Sequence, residues 1–146
     1  NFPAIIIRPY QVYGPYQDRN RLIPIIINAC LNNKKFPCSS GNQSRDFLYV
    51  DDFVKAVFKL LIKKNNNGEI FNIGYGKAIN VKKLIIFINQ KIKKGFPDFG
   101  KIKMRSEENL ITFPSIKKIK SRINWKPQIN LIKGLNKTIN FYQKEL

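Results

Sequence analysis

The sequence predicts an α/β or α+β fold, and three observations carry that prediction. Ala4–Arg8 (AIIIR) and Glu69–Ile73 (EIFNI) are short, nearly continuous apolar runs of the kind that suits strands buried on both faces. Longer segments with apolar residues at helical spacing lie between and after them, DDFVKAVFKLLIKK and VKKLIIFINQKIKK among them. Glycine, proline and asparagine clusters separate the segments, so strands and helices alternate along the chain.

Ala4–Arg8 is the first expected strand. It stops at Pro9, and PYQVYGP reads as a turn-rich loop punctuated by Gly14-Pro15. After the charged segment Gln17–Arg21, LIPIIINACLNN is apolar enough for a mostly buried helix, with Pro24 tolerated in its first turn. Lys34–Ser44 is expected as loop or edge strand and Phe47–Val50 as a short strand. Asp51 or Asp52 then caps a helix whose Phe53, Val54, Val57, Phe58, Leu60 and Leu61 form a wide apolar face. NNNGE is a turn, EIFNI a second buried strand ended by GYG, and Asn80 the cap of the next helix. Val81, Leu84, Ile85, Ile88 and Ile92 share one side of that helix. GFPDFG is expected as a loop and KIKMR as a last short strand. NWKP should be a break with Trp125 in the core, and Leu131–Leu146 the final amphipathic helix. The first strand should be central in a sheet, yet almost nothing precedes it to pair with, so the chain reads as the second half of a larger unit.

The 146 residues suit one domain that buries roughly two-thirds of its unfolded surface. A hydrophobic fraction of 43% is ordinary for a globular protein, and no apolar run approaches the ~20 residues a membrane span needs. No signal-peptide pattern is present, so the default expectation is a cytoplasmic protein. Cys30 and Cys38 permit a disulfide without indicating one, and a chain with no histidine is a poor zinc protein. The net charge of +18 invites a nucleic-acid reading. Against it, the excess is 21 lysines to 6 arginines, spread along helix faces as a solvated surface, whereas phosphate and base recognition favours arginine forks.

The sequence lacks GxGxxG, the P-loop GxxxxGK[ST], GxSxG and a tyrosine followed four residues on by lysine. It offers instead arginines in special local settings. Arg21 stands at the mouth of a helix, where backbone amides face outward. Arg45 opens RDFLYVDD, which holds three of the nine acidic residues, and Arg105 precedes Ser106-Glu107-Glu108. Arginines flanking loop amides, with an amide side chain such as Gln11, suit a diphosphate, which needs bidentate donors and dipoles.

The succession RPYQVYGP, RLIP, GNQSRDFLYVDD, GEIFNIGYG, RSEE, NWKP and GLNKTI resembles the carboxy-terminal half of NAD(P)-dependent nucleotide-sugar epimerases and dehydratases, members of the extended short-chain dehydrogenase/reductase family. The resemblance runs from about Ile5 to about Tyr142. It implies the last strands of a Rossmann-type parallel sheet plus a small α/β substrate-binding domain. It also implies that the whole chain is one substrate-binding portion. The amino-terminal half of such enzymes, which carries the glycine-rich loop and the catalytic tyrosine and lysine, is not in this chain. NAD or NADP would be bound mainly by that half, and this chain alone should not transfer hydride.

Residue by residue, the resemblance places Pro9 and Tyr10 near the nicotinamide and Gln11 where the family usually has an asparagine touching the sugar diphosphate. Arg21, with Leu22, falls at the nucleotide entrance, and Pro37 and Cys38 on a short strand against the base. Arg45 matches the arginine that grips the diphosphate, with Asp46 to orient it, and Arg105 a second arginine across the pocket. Asn72 is a lesser substrate-binding candidate. Asp51 and Asp52 are assigned to capping and packing. The implied partner is a nucleotide-diphosphate sugar, and a homodimer of the full-length enzyme is compatible with the resemblance. Which reaction, base and sugar are involved stays open. The alternative is a stand-alone basic binding module, derived from such an enzyme, for nucleic acid or another acidic partner.

Overall fold

The computed structural model describes residues 4–64 and 66–145. Its first half holds β1 (Ile6–Pro9), β2 (Gln11–Tyr13), α1 (Leu22–Leu31), β3 (Lys35–Cys38), β4 (Ser44–Tyr49) and α2 (Val50–Ile62). The rest comprises β5 (Ile70–Ile73), β6 (Ala78–Asn80), α3 (Val81–Ile92), β7 (Phe96–Phe99), β8 (Ile111–Thr112), α4 (Lys117–Ile123) and α5 (Leu131–Lys144).

These elements enclose two cores. In one, β1 and β5 pair in parallel, with Ile7 opposite Phe71 and Arg8 opposite Asn72. Ala56 and Leu60 of α2, Ile119 and Ile123 of α4, and Trp125 pack with Phe71 and Ile73. This is the strand–helix–strand arrangement of a Rossmann-type sheet edge. The other core lies between α1, α3 and α5 and the strands of the smaller unit, with Ile26, Ile27, Leu84, Ile88 and Leu135 among its buried members. There β4 pairs in parallel with β2 and β8 and antiparallel with β6, while β3 and β7 form a separate parallel pair.

Strand β4 is the wall between the cores. Side chains alternate across a strand, so Phe47 and Tyr49 enter the core of the smaller unit while Leu48 enters the other. Such a strand has no polar face to show water, which is why Phe47–Tyr49 reads as an unbroken apolar run.

The expected α/β class, strands within AIIIR and EIFNI and the helices at the expected places are all present, and the two strands turn out to pair with each other in parallel. Asn80 caps α3 by accepting the Lys83 amide at 3.0 Å, and Asn130 does the same for α5 with Lys133 at 2.9 Å. Asn65 in the expected NNNGE turn, and Leu146 at the expected end of the last helix, lie outside the described residues.

Six expectations are corrected. PYQVYGP contains β2, because Gln11–Tyr13 finds a parallel partner in Phe47–Tyr49. GFPDFG contains β7, paired with β3. KIKMR is not a strand; Ile102 is half exposed, and its amide donates to the Cys38 carbonyl at 3.1 Å without a ladder forming. Neither Asp51 nor Asp52 caps α2: Tyr49 is the cap residue, and the two acids sit in the first turn, where they still complement the helix dipole. Finally, β1 is not buried on both faces. Ile6 is 51% exposed, since β5 is its one strand neighbour among the described residues. The apolar face of α2 is likewise split, with Ala56 and Leu60 buried but Val54, Phe58 and Leu61 exposed.

Close packing in the smaller unit sets one sharp requirement. Gly134 in α5 faces the rings of Tyr13 and Tyr49, and a Cβ there would fall 2.9 Å from both Tyr13 Cζ and Tyr49 Cδ2. Both tyrosines are buried and cannot swing away. Gly134→Ala should therefore destabilise the chain by about 1–3 kcal/mol by overpacking, despite the ~1 kcal/mol that alanine gains over glycine in a helix. Thermal unfolding followed by circular dichroism checks this; a raised melting temperature would show that the contact relaxes.

Candidate functional site

The site grows from the corner where β4 turns into α2. Arg45 and Asp46 are neighbours on β4 and so point to opposite faces. Asp46 is fully buried and does not orient Arg45, contrary to the sequence expectation. Its Oδ1 accepts the Tyr75 amide at 2.6 Å, and its Oδ2 accepts the Gly76 and Lys77 amides at 2.6 and 3.0 Å. A carboxylate can saturate three converging backbone donors where a neutral side chain cannot. Burial pushes the Asp46 carboxyl above the usual range, and the three amides pull it back. Gly76, at φ +85°, makes the turn that aims these amides inward, and Gly74 leaves no room for a Cβ between Pro114 and the Asp46 carboxylate.

Arg45 projects the other way and is half-buried. Its Nη1 donates to the carbonyls of Ser44 and Asn109, both at 2.8 Å, and its Nη2 pairs with the Glu108 carboxylate. Arg45 and Arg105 line one cleft of about 390 Å³, with Ser106, Glu107, Glu108, Asn109 and Thr112. Arg105 is exposed in the loop that precedes β8.

A second cleft, of about 550 Å³, is lined by Pro9, Tyr10, Gln11, Val12, Gln17, Arg21 and Phe53. It collects four of the residues nominated from the sequence. Pro9 to Val12 span the end of β1 and the start of β2, and Arg21 is the residue before the first turn of α1, where its side chain makes no capping bond. Pro24, in the third helical position, has no N–H, which leaves Leu22 and Ile23 as the first-turn amides without an intrahelical partner. Gln17 was not foreseen. Its Nε2 donates to the Val12 carbonyl at 2.7 Å, its Oε1 is buried without a partner, and its carbonyl accepts the Tyr142 hydroxyl at 3.0 Å. That last bond spans the chain, so no local pattern could have shown it.

The remaining candidates lie elsewhere. Leu22 is partly exposed at the start of α1, and Asn72 is half-buried on β5. On β3 the strand alternation exposes Pro37 and turns Cys38 into the core of the smaller unit, where burial pushes its thiol up. Cys38 is thus a packing residue in this structure. Cys30 and Cys38 are both buried free thiols. A further cavity, of about 710 Å³ between α2 and the loop carrying Trp125, is lined by none of the nominated residues.

The glycine turn after β5 offers no cradle for a dinucleotide pyrophosphate. It follows a parallel strand as such cradles do, but its amides at Tyr75, Gly76 and Lys77 are already bonded to Asp46.

The fold and these clefts define a Rossmann-type α/β protein with two polar clefts, each carrying arginine. The chain belongs to the NAD dependent epimerase/dehydratase family, whose sequence profile matches residues 1–74. It is 31% identical over 143 residues to the CDP-abequose synthase of Salmonella typhimurium, a match that covers 91% of this chain and 46% of that protein. It is also 31% identical over 152 residues to the human dTDP-D-glucose 4,6-dehydratase, covering 98% of this chain and 42% of that one. Among solved structures, the UDP-glucuronic acid 4-epimerase of Bacillus cereus, in complex with UDP-glucuronic acid and NAD, superposes with a TM-score of 0.90 at 26% identity over 99% of this chain and 46% of that one. The chain thus spans about half the length of the relatives it matches.

The Asp46 arrangement makes a direct prediction. Asp46→Ala leaves three amides without their acceptor and should cost about 3 kcal/mol or more, since unpaired partly buried amides cost about 1–3 kcal/mol each. Asp46→Asn, which keeps one acceptor oxygen, should fall between. Urea unfolding of the three chains gives the comparison; equal midpoints would mean that the turn holds itself.

Proposed function

We propose that this chain is the nucleotide-sugar-binding portion of a longer cytoplasmic enzyme, dependent on NAD or NADP, that epimerises, dehydrates or reduces a nucleoside diphosphate sugar. The observation that carries this reading is the convergence of Arg45 and Arg105, distant in sequence, on one cleft. A diphosphate is the ligand that two guanidinium groups fit best, because each can offer paired N–H donors to phosphate oxygens. The second cleft, with Gln11, Gln17 and Arg21 beside Phe53, supplies amide groups and an apolar wall of the kind that orients a sugar. Pro9 and Tyr10 stand at its edge, where a nicotinamide could approach the sugar. In this reading the dinucleotide and the proton-transferring groups are held by parts of the enzyme outside this chain, and Asn72 and Pro37 contribute at most to the periphery of the nucleotide.

Titration of the chain with UDP, dTDP, CDP and GDP by calorimetry tests the reading. One nucleoside diphosphate should bind best, the binding should survive moderate salt, and Arg45→Ala and Arg105→Ala should each weaken it about tenfold, as loss of one charge-assisted contact does. Unchanged affinity in both variants, or equal affinity for all four with a steep fall in salt, would instead support the acidic-partner reading.

A further inference from the structure

We infer that Glu108 holds the place of the diphosphate on Arg45 and must yield it when a ligand binds, so that Glu108 sets the affinity of the cleft. The inference rests on the function proposed above and concerns a residue that the function itself does not require.

A guanidinium has two forks of parallel N–H donors, one shared by Nε and Nη2 and one shared by Nη1 and Nη2. Nη2 belongs to both. In this structure Nη2 is engaged by the Glu108 carboxylate, and Nη1 by the carbonyls of Ser44 and Asn109. The Nη1–Nη2 fork is therefore taken, and the nitrogen that the Nε–Nη2 fork shares with it already carries Glu108, so a phosphate competes with that carboxylate for Nη2. Glu108 also cancels the charge of Arg45: its side chain is 28% exposed and that of Arg45 16%, so solvent screens the pair less than it would on an open surface.

The two backbone carbonyls fix where the guanidinium sits, since they are neutral and held by β4 and the loop. Glu108 is different. It lies in the loop that also carries Arg105, and both residues line the cleft. A diphosphate that takes the Nη2 position displaces a carboxylate with a second anion, and the freed loop keeps Arg105 within reach of the same ligand. Glu108 is thus a positioning residue that acts through Arg45, and its charge opposes binding.

The test is calorimetric titration of the whole chain with UDP and with inorganic pyrophosphate, the latter reading the arginine grip without a base. Wild type, Glu108→Gln and Arg45→Ala are compared, with Glu108→Asp as a second variant that withdraws the carboxylate by one methylene. The inference expects Glu108→Gln to bind about five- to tenfold more tightly, the size of effect expected on removing one competing charge. Glu108→Asp should shift in the same direction by less, and Arg45→Ala should lose affinity. Opposite signs at Glu108 and Arg45 are the signature, because a residue that merely held the loop in shape would lower affinity in every variant. Weaker or unchanged binding in the Glu108 variants, with Arg45→Ala impaired, would overturn the inference while leaving the diphosphate reading intact. Unchanged binding in Arg45→Ala would overturn both.

Discussion

The structure depends on a pair of buried carboxylates that collect backbone amides from segments far along the chain. Asp46 binds the amides of Tyr75, Gly76 and Lys77, and Asp52 accepts those of Gln128 and Ile129 at 2.9 and 2.8 Å. Both aspartates have no exposed surface, and both flank the β4–α2 corner at which the two cores meet. Asp46 ties the turn after β5 to the wall strand. Asp52 ties the segment between Trp125 and α5 to the first turn of α2, and its carbonyl accepts the Trp125 indole N–H at 3.2 Å. Turn backbone placed so close to a core needs partners for its N–H groups, and a carboxylate satisfies several at once. Together with the β2–β4 ladder and the bond from the Tyr10 amide to the Ile73 carbonyl at 3.0 Å, these two residues link the cores through backbone.

That joint also decides where the arginine goes. Strand alternation makes Arg45 and Asp46 turn away from each other, so anchoring Asp46 inward obliges Arg45 to point into the cleft. The acids are scarce in this chain, and the two buried ones at the corner act on backbone rather than on lysine, whereas the exposed Asp51 pairs with Lys137 at 3.8 Å. Most lysines remain solvated, and the exceptions are peripheral ion pairs such as Lys118 with Glu69 and Lys35 with Asp98. Pairs of this kind contribute little. Charge matters to this protein chiefly where a guanidinium is half-buried, not where the total is large.

Helices were the most legible elements because their signals are local. Apolar spacing and the Asn80 cap place the start of α3 at Val81, as observed, and its end two residues beyond Ile92. Strands β2 and β7 were hidden because Gln11–Tyr13 and Phe96–Phe99 become strands only through distant partners. RDFLYVDD stands out in the sequence, and the place of Asp51 and Asp52 in the first turn of a helix is legible there, but the amides that Asp46 and Asp52 bind lie about 30 and 76 residues away, beyond any spacing rule. Of the candidate site, the two arginines and the Pro9–Gln11 edge were legible from motif order. Gln17 and the Glu108 contact were not, since neither turn nor loop carries a periodicity that says which way a side chain points.

The central claim is that the arginine-bearing clefts, and not the lysine-rich exterior, receive a nucleoside diphosphate. Amide chemical-shift mapping of the isotopically labelled chain during titration with UDP tests it directly. The account predicts saturable shifts confined to Arg45, to the loop from Arg105 to Asn109, and to the segment from Gln11 to Arg21. Shifts scattered over the lysines of α2, α3 and α5, growing without saturation, would contradict it.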